Sequence, residues 1–515
     1  MLFNSYIFIM VFLPITVAGF FLIGRSGRHA LSIAWLVCAS LFFYGWWNPV
    51  YLSIIVGSIL FNYYWGIITA RGSRYILTLG IAVNLGLLGY FKYANFFVDN
   101  LSAITGLHLK LAPIVLPLAI SFFTFQQISY LVDTYRGRSE EHSFLNYCLF
   151  VTFFPQLIAG PIVHHSEMLP QFGRAETFRF DSQKVAVGIT IFFFGLFKKV
   201  IIADGMAPYA TPVFEAVRLH YGPSFLEAWE GALAYTLQIY YDFSGYSDMA
   251  IGLAYLFGIR IPLNFNSPYK SLNIIDFWRR WHISLSRFLR DYLYIPLGGN
   301  RKGEARRHVN IMITMLLGGL WHGAAWTFVL WGGLHGMFLV VNHLWLNLKK
   351  RYGFQGGAGF AGRLCAGTLT FLSVTVAWVF FRADSASAAG RMLAAMAGQN
   401  GFALPEKYLH KFGALAGSLS HMGVDFRYMH YFKGSNEVIY ILVALLVAWF
   451  APNVQQIMNS YKPYINIMAK RKTLPDPPTW LAWRPSIGWA AILVACVLTS
   501  ILMMSRASEF LYFQF

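Results

Sequence analysis

Charge is scarce in this chain. Of 515 residues, only 12% are Asp, Glu, Lys or Arg, while 57% are hydrophobic. A soluble globular protein carries about 25% charged residues. This chain therefore lacks the polar surface to cover itself in water, and the bilayer is the solvent its composition fits. Cysteine is scarce too. Cys38, Cys148, Cys365 and Cys496 each lie in or beside an apolar run, and none forms a CxxC pair. That pattern implies no disulfide framework and no zinc site, and the four thiols are expected to be small buried hydrophobes. A GxSxG elbow, an HExxH helix and a Walker loop are also missing. No Lys or Arg precedes Arg25, so the N-terminus lacks the basic region of a cleavable signal and reads as a retained first span.

What is abundant is apolar sequence with basic punctuation. The net charge is +18, but the cations sit in short clusters between apolar runs rather than in a basic domain. That is the pattern of loops held on the cytoplasmic side, facing anionic lipid, and not of a nucleic-acid binder. Arg25 and Arg28 follow the first run, Arg71 and Arg74 the third, and Arg136 and Arg138 the fifth. By the positive-inside rule the N-terminus then lies outside the cytoplasm.

A spanning helix needs about 20 apolar residues. Candidate spans are 5–23, 31–47, 50–69, 75–97, 114–133, 144–163, 185–203, 231–258, 309–330, 332–348, 364–381, 437–455 and 486–504. The expected fold is an all-α polytopic bundle of about 11–13 helices. Re-entrant segments are expected where Pro155, Gly160 and Pro161 interrupt the sixth span. The whole chain reads as one membrane domain, with 260–348 as its catalytic core. Residues 398–436 lack a strong apolar run, and 459–485 is a basic, Pro-rich cytoplasmic loop expected to be ordered or polyproline-like. There is no inverted half-and-half similarity, which counts against a secondary transporter.

Residues 260–307 hold ten Lys or Arg among many aromatics. Within them, Phe277, Trp278, Trp281, Leu285, Phe288, Leu289 and Tyr292 recur at three- and four-residue steps, which predicts a basic amphipathic helix from Ile274 to Tyr294. It is either an interfacial anchor or a wall for an anionic ligand. Ser284 and Ser286 flank His282 and are expected on the helix surface or in local caps.

From Val309 to Leu348 there is no charged residue. As one helix this stretch would run about 60 Å, twice the hydrocarbon thickness. A break is expected at Gly332-Gly333, which places His322 near mid-membrane. A polar group there is costly unless it is paired or lines a cavity. Structural pairing, proton relay and catalysis all remain open for it. Imidazole titrates near neutral pH and suits general acid–base work, and His282 is a candidate helper. His335 and His343 are expected to be hydrogen-bonded helix residues. His164 and His165, with only Glu167 as a nearby carboxylate, read as a polar loop rather than a metal site.

Several segments resemble one family. They are YDFSGYSDMAIGLAYLFGI (241–259), NFNSPYKSLNIIDFWRRWHISLSRFLRDYLYIPLGGNR (264–301) and LLGGLWHGAAWTFVLWGGLHG (316–336). With GYFKYANFF (89–97), LPLAISFFTFQQISYLVDTYRG (116–137), FPQLIAGPI (154–162) and FLYFQF (510–515), they are similar to the membrane-bound O-acyltransferases, in particular the bacterial alginate O-acetylation branch. The resemblance implies a helical bundle with a central tunnel in the bacterial inner membrane. It implies acetyl transfer from a cytoplasmic thioester, acetyl-CoA being the expected donor, with no tightly bound cofactor and no metal. His322 matches the family's essential histidine, and His282 its second polar position. Donor contacts are expected from Arg279, Arg280, Arg287, Arg290 and Arg301, with Trp278, Trp281 and Trp321 along the tunnel. Expected partners are a periplasmic SGNH-type acetyltransferase, a polysaccharide synthesis and secretion complex, and membrane lipid. Alginate is the leading polymer, with cellulose second. A flippase, or an acyltransferase for lipid or teichoic acid, are the competing readings. No activated nucleophile is evident, which favours direct transfer.

Overall fold

The computed structural model describes residues 1–138, 143–353, 359–429, 431–432, 434–466, 478–504 and 510–511. Among them helix dominates, as the apolar runs require: in a bilayer every backbone polar group must be satisfied within its own segment. Among the described residues five helices are long and apolar enough to cross a membrane: Val50–Thr69, Arg74–Thr105, Ser182–Arg218, Trp326–Arg351 and Phe360–Arg382. Four shorter apolar helices are Phe8–Gly24, His29–Gly45, Ser435–Phe450 and Ile487–Met503. Among the described residues there are two parallel strand pairs, Ile261–Pro262 with Tyr464–Ile465 and Phe402–Pro405 with Val424–Arg427. The second pair and the helices Lys407–Phe412 and Ala414–His421 lie in the region without an apolar run. Much of the basic loop after Asn459 (467–477) lies outside the described residues, as do 512–515 of the terminal motif.

The chain divides into two compact units. The first holds the described residues of Met1–Val200, Ser244–Asn264 and Asn453–Gln514. Here the helix Ser182–Phe197 crosses Phe225–Leu256 on glycines. A Cβ on Gly188 would lie 2.8 Å from the Gly252 carbonyl oxygen, and one on Gly195 2.7 Å from the Met249 nitrogen. Small residues at such crossings let backbones pack closely where lipid offers no hydrophobic drive. Buried polar pairs supply the rest. Asn62 and Asn84 exchange amide hydrogen bonds at 3.0 and 2.6 Å, and Gln127 donates to Ser58 at 3.1 Å. Lys198 meets Asp248 at 2.6 Å, and Gln455 donates to the same carboxylate at 2.8 Å. The sixth expected span is not one helix. It ends at Thr152 and resumes over Phe154–Leu157, where Pro155 sits within the new first turn.

Glu167 is used as the cap of the helix His165–Phe172, accepting from the His164 backbone at 3.4 Å. The cysteine expectation fails: Cys38 and Cys365 are exposed and Cys148 and Cys496 half-buried. A small apolar side chain on a spanning helix can face lipid as readily as protein, so low polarity did not imply burial.

The second unit holds Ile201–Phe243 and Phe265–Pro452. Its centre is a helical hairpin, Gly303–His322 and Trp326–Arg351. The break therefore lies at Gly323–Ala325, not at Gly332-Gly333. Gly323 and Ala325 are extended, with ψ near 150°. Gly332 serves packing instead. A Cβ on Gly319 would strike the Phe328 carbonyl oxygen and lie 3.1 Å from the Gly332 Cα. The two arms approach so closely that only hydrogen fits between them.

Candidate active site

The predicted amphipathic helix is broken. It comprises Ile274–Trp278, then a corner at Arg279–His282, then Ile283–Leu289 and a π-turn at Arg290–Tyr294. Asn273 caps the first piece by accepting from the Asp276 nitrogen at 2.9 Å. His282 makes the corner, in the left-handed region at φ 42°, ψ 55°. A residue other than glycine held there costs of order 1–3 kcal/mol and persists only where its surroundings fix it. Regular apolar spacing concealed the break, because Phe277, Trp281, Leu285 and Phe288 are all buried although the helix is interrupted among them.

That corner carries His282 into the interior, where its exposure is 0%. The Phe243 ring stands edge-on to it at 4.7 Å between centroids. Burial holds the imidazole well below its ordinary pKa, so it is neutral at pH 7. Ser284 is fully buried beside the corner, contrary to a helix-surface reading. Ser286 donates to the Trp281 carbonyl at 3.4 Å.

His322 arrives from the other element. It is the last residue of its helix and is 5% exposed. The two imidazoles lie 6.4 Å apart, centroid to centroid. Around His322 stand Trp321 at 5.0 Å, Trp331 at 5.1 Å and Phe381 at 5.2 Å. Trp331, Trp378 and Phe381 were not singled out by sequence. Trp331 is fixed nine residues beyond His322 by the hairpin turn, a spacing that only the correct break position reveals. The pair is thus two polar rings enclosed in aromatic walls, a setting where a bound carbonyl and hydroxyl would meet little water and strong electrostatics.

The predicted ligand-binding residues fall in different places. Trp281 and Trp321 are buried, and Trp281 packs on Trp378 at 4.9 Å. Trp278 is half-buried and faces Trp331 at 5.8 Å. Arg280 is held by Asp276 at 2.9 Å and donates to the Asn266 carbonyl at 3.3 Å. Arg290 pairs with Asp291 at 2.7 Å. Arg287 is buried, while Arg279, Arg290 and Arg301 are exposed. The histidines share one interior site, while the five arginines differ in exposure and in partner.

His335 departs from expectation. Its exposure is 0%, yet neither ring nitrogen has a hydrogen-bond partner among the described residues.

Known proteins give this arrangement a context. The family model described as MBOAT, membrane-bound O-acyltransferase family, matches residues 134–358, which include both site histidines. A peptidoglycan O-acetyltransferase of Helicobacter pylori is 46% identical over 78% of this chain and 81% of its own length. A probable alginate O-acetylase of Pseudomonas aeruginosa is 38% identical over 100% of both chains. A teichoic acid D-alanyltransferase of Bacillus subtilis is 29% identical over 46% of this chain and 61% of its own. Two buried histidines on an apolar helical frame, with relatives this similar along nearly the whole length, make the conclusion plain: the chain belongs to the membrane-bound O-acyltransferase family, and it is an acyltransferase.

Proposed function

We propose that this protein moves an acetyl group from a cytoplasmic thioester, acetyl-CoA, across the inner membrane to a periplasmic acceptor that O-acetylates an extracellular polysaccharide. The juxtaposition of His282 and His322 inside aromatic walls carries the proposal. His322 removes the proton of the acceptor hydroxyl as its oxygen attacks the thioester carbonyl. The C–S bond then breaks, the new ester remains on the acceptor, and His322 returns the proton to the thiolate. General acid–base help of this kind is worth about 10² to 10⁴ in rate. His282, being neutral, orients the carbonyl through a hydrogen bond rather than through positive charge; with 6.4 Å between ring centroids it acts on the bound substrate and not on His322 directly. Arg279, Arg280, Arg287, Arg290 and Arg301 supply a cationic approach for the donor's phosphates, and a tunnel leads it inward past Trp278, Trp281 and Trp321.

The acceptor side follows the relatives. Full-length similarity to the probable alginate O-acetylase supports alginate, reached through an SGNH-type partner and the polymer's synthesis and secretion complex. The 46% identity to a peptidoglycan O-acetyltransferase supports cell-wall glycan as a second reading. Acetyl content of secreted polymer and of purified wall fragments in a strain lacking this protein separates the two. For the reaction itself, membranes with wild-type protein should release free thiol from acetyl-CoA, and His322→Ala should not, at equal protein level. Equal release by both would reject the catalytic assignment; solute movement with no thiol release would point to a flippase.

A further inference from the structure

His335 is a buried imidazole for which the reaction above has no use. It lies on Trp326–Arg351, between the packing glycines Gly332 and Gly336. A Cβ on Gly336 would lie 2.8 Å from the Met312 sulfur and 3.4 Å from the Met315 Cβ. His335 is therefore level with Met315 on the facing arm, seven residues before His322. At 1.5 Å per residue that is about 10 Å from His322. The displacement is towards the hairpin's basic end, where Arg301, Lys302, Arg306 and Arg307 begin one arm and Lys349, Lys350 and Arg351 end the other.

Its surroundings are aromatic and contain further unused donors. Trp331 stands at 4.9 Å, Trp278 at 5.1 Å and Phe277 at 6.0 Å. The indole nitrogens of Trp278 and Trp331, like both nitrogens of His335, have no hydrogen-bond partner among the described residues. A buried polar group left unpaired costs about 1–3 kcal/mol, so several in one place call for an occupant with matching donors and acceptors. Trp331 touches both His335 and His322, so the two histidines border one continuous aromatic wall.

We propose that His335, with the indole N–H groups of Trp278 and Trp331, binds the amide-bearing arm of the thioester donor. This rests on the reading of His322 as the site of acyl transfer. An arm of the pantetheine type carries its second amide nitrogen seven bonds from the sulfur, about 8 Å when extended. With the sulfur at His322 and the phosphates at the basic end, that amide falls at His335. A neutral imidazole offers one donor and one acceptor, the complement of a secondary amide, and the indoles donate to its carbonyl. His335 is thus a binding and specificity residue and takes no proton in the transfer.

The test uses full-length protein in membranes with three donors: acetyl-CoA, an acetylated acyl carrier protein, and S-ethyl thioacetate, which lacks amides. Thiol release is followed as KM and kcat separately. For whichever pantetheine donor the wild type turns over, His335→Leu should raise KM three- to tenfold, the value of about one neutral hydrogen bond. Its kcat should stay within twofold, and its rate with S-ethyl thioacetate should be unchanged. His335→Asn should recover much of the loss. Trp278→Phe, which keeps the ring and removes the N–H, should raise KM in the same direction and guards against a misfolded Leu variant. Unchanged KM in both variants overturns the inference, as does an equal loss with the amide-free donor. Wild-type turnover of neither pantetheine donor overturns the donor reading and this inference together. Turnover that persists in His322→Ala overturns the transfer site and with it the sulfur position that places the amide at His335, whereas an unchanged KM in the His335 and Trp278 variants with His322→Ala inactive overturns this inference alone.

Discussion

His282 holds a left-handed backbone conformation that only glycine adopts without cost, and that strain accompanies the delivery of its ring to the site. The two properties can be separated. His282→Gly relieves the backbone and deletes the ring, so turnover should fall about 10²-fold or more while the melting temperature holds or rises. His282→Ala should lose the same activity and, in addition, keep the left-handed strain of about 1–2 kcal/mol. Full turnover by the Gly variant would leave His282 as a folding device only. His322→Ala carries the companion expectation, an activity loss of about 10²- to 10⁴-fold with normal insertion. At this scale the sequence was informative about identity and blind to contact. A histidine in an uncharged run is visible as a cost. Its distance to a second histidine 40 positions earlier is not encoded in any local pattern. His335 marks the same limit, since sequence suggested a hydrogen-bonded residue and the fold left it among indoles.

The hairpin that presents His322 depends on glycine contact rather than on hydrophobic burial. Gly319→Leu or Gly332→Leu would push a side chain into the opposing backbone, with Gly332→Leu aimed at the Met315 carbonyl oxygen. Each should cost about 1–3 kcal/mol, read as a lower melting temperature in detergent, with a loss of turnover because His322 shifts with its helix. Wild-type stability in both would contradict the packing account. The placement of this hairpin's turn is where spacing arguments failed. Length alone demanded a break between Val309 and Leu348, and the Gly-Gly pair was the natural suspect. However, glycine in a membrane helix answers to packing as often as to breaking, and the chain turned at Gly323–Ala325 instead. The basic amphipathic segment failed similarly. A periodic pattern of aromatics survives a corner of four residues, so periodicity could not report it. Arg280 tests the surface reading: Arg280→Ala should weaken donor affinity if the guanidinium reaches phosphate, and unchanged affinity would leave it as Asp276's partner only.

Across the whole molecule, stability rests on a few buried polar contacts in an apolar frame. Lys198 and Asp248 form one of them, at 2.6 Å and mostly buried. Lys198→Met leaves a buried carboxylate with Gln455 as its remaining partner among the described residues and should cost about 3–5 kcal/mol, seen as loss of folded protein after detergent extraction; Lys198→Met with Asp248→Asn should recover part of it, and a neutral single variant would show the pair to be dispensable. Composition and apolar spacing determined the solvent, the helical class and the position of most apolar helices, because each of those follows from the energy of placing single residues in water or lipid. Tertiary structure decided what depends on distance: the inward corner at His282, the turn after His322, the aromatic box that joins them, and the isolation of His335. Those outcomes rest on backbone sterics and close packing between segments far apart in the chain, and no one-residue energy carries that information.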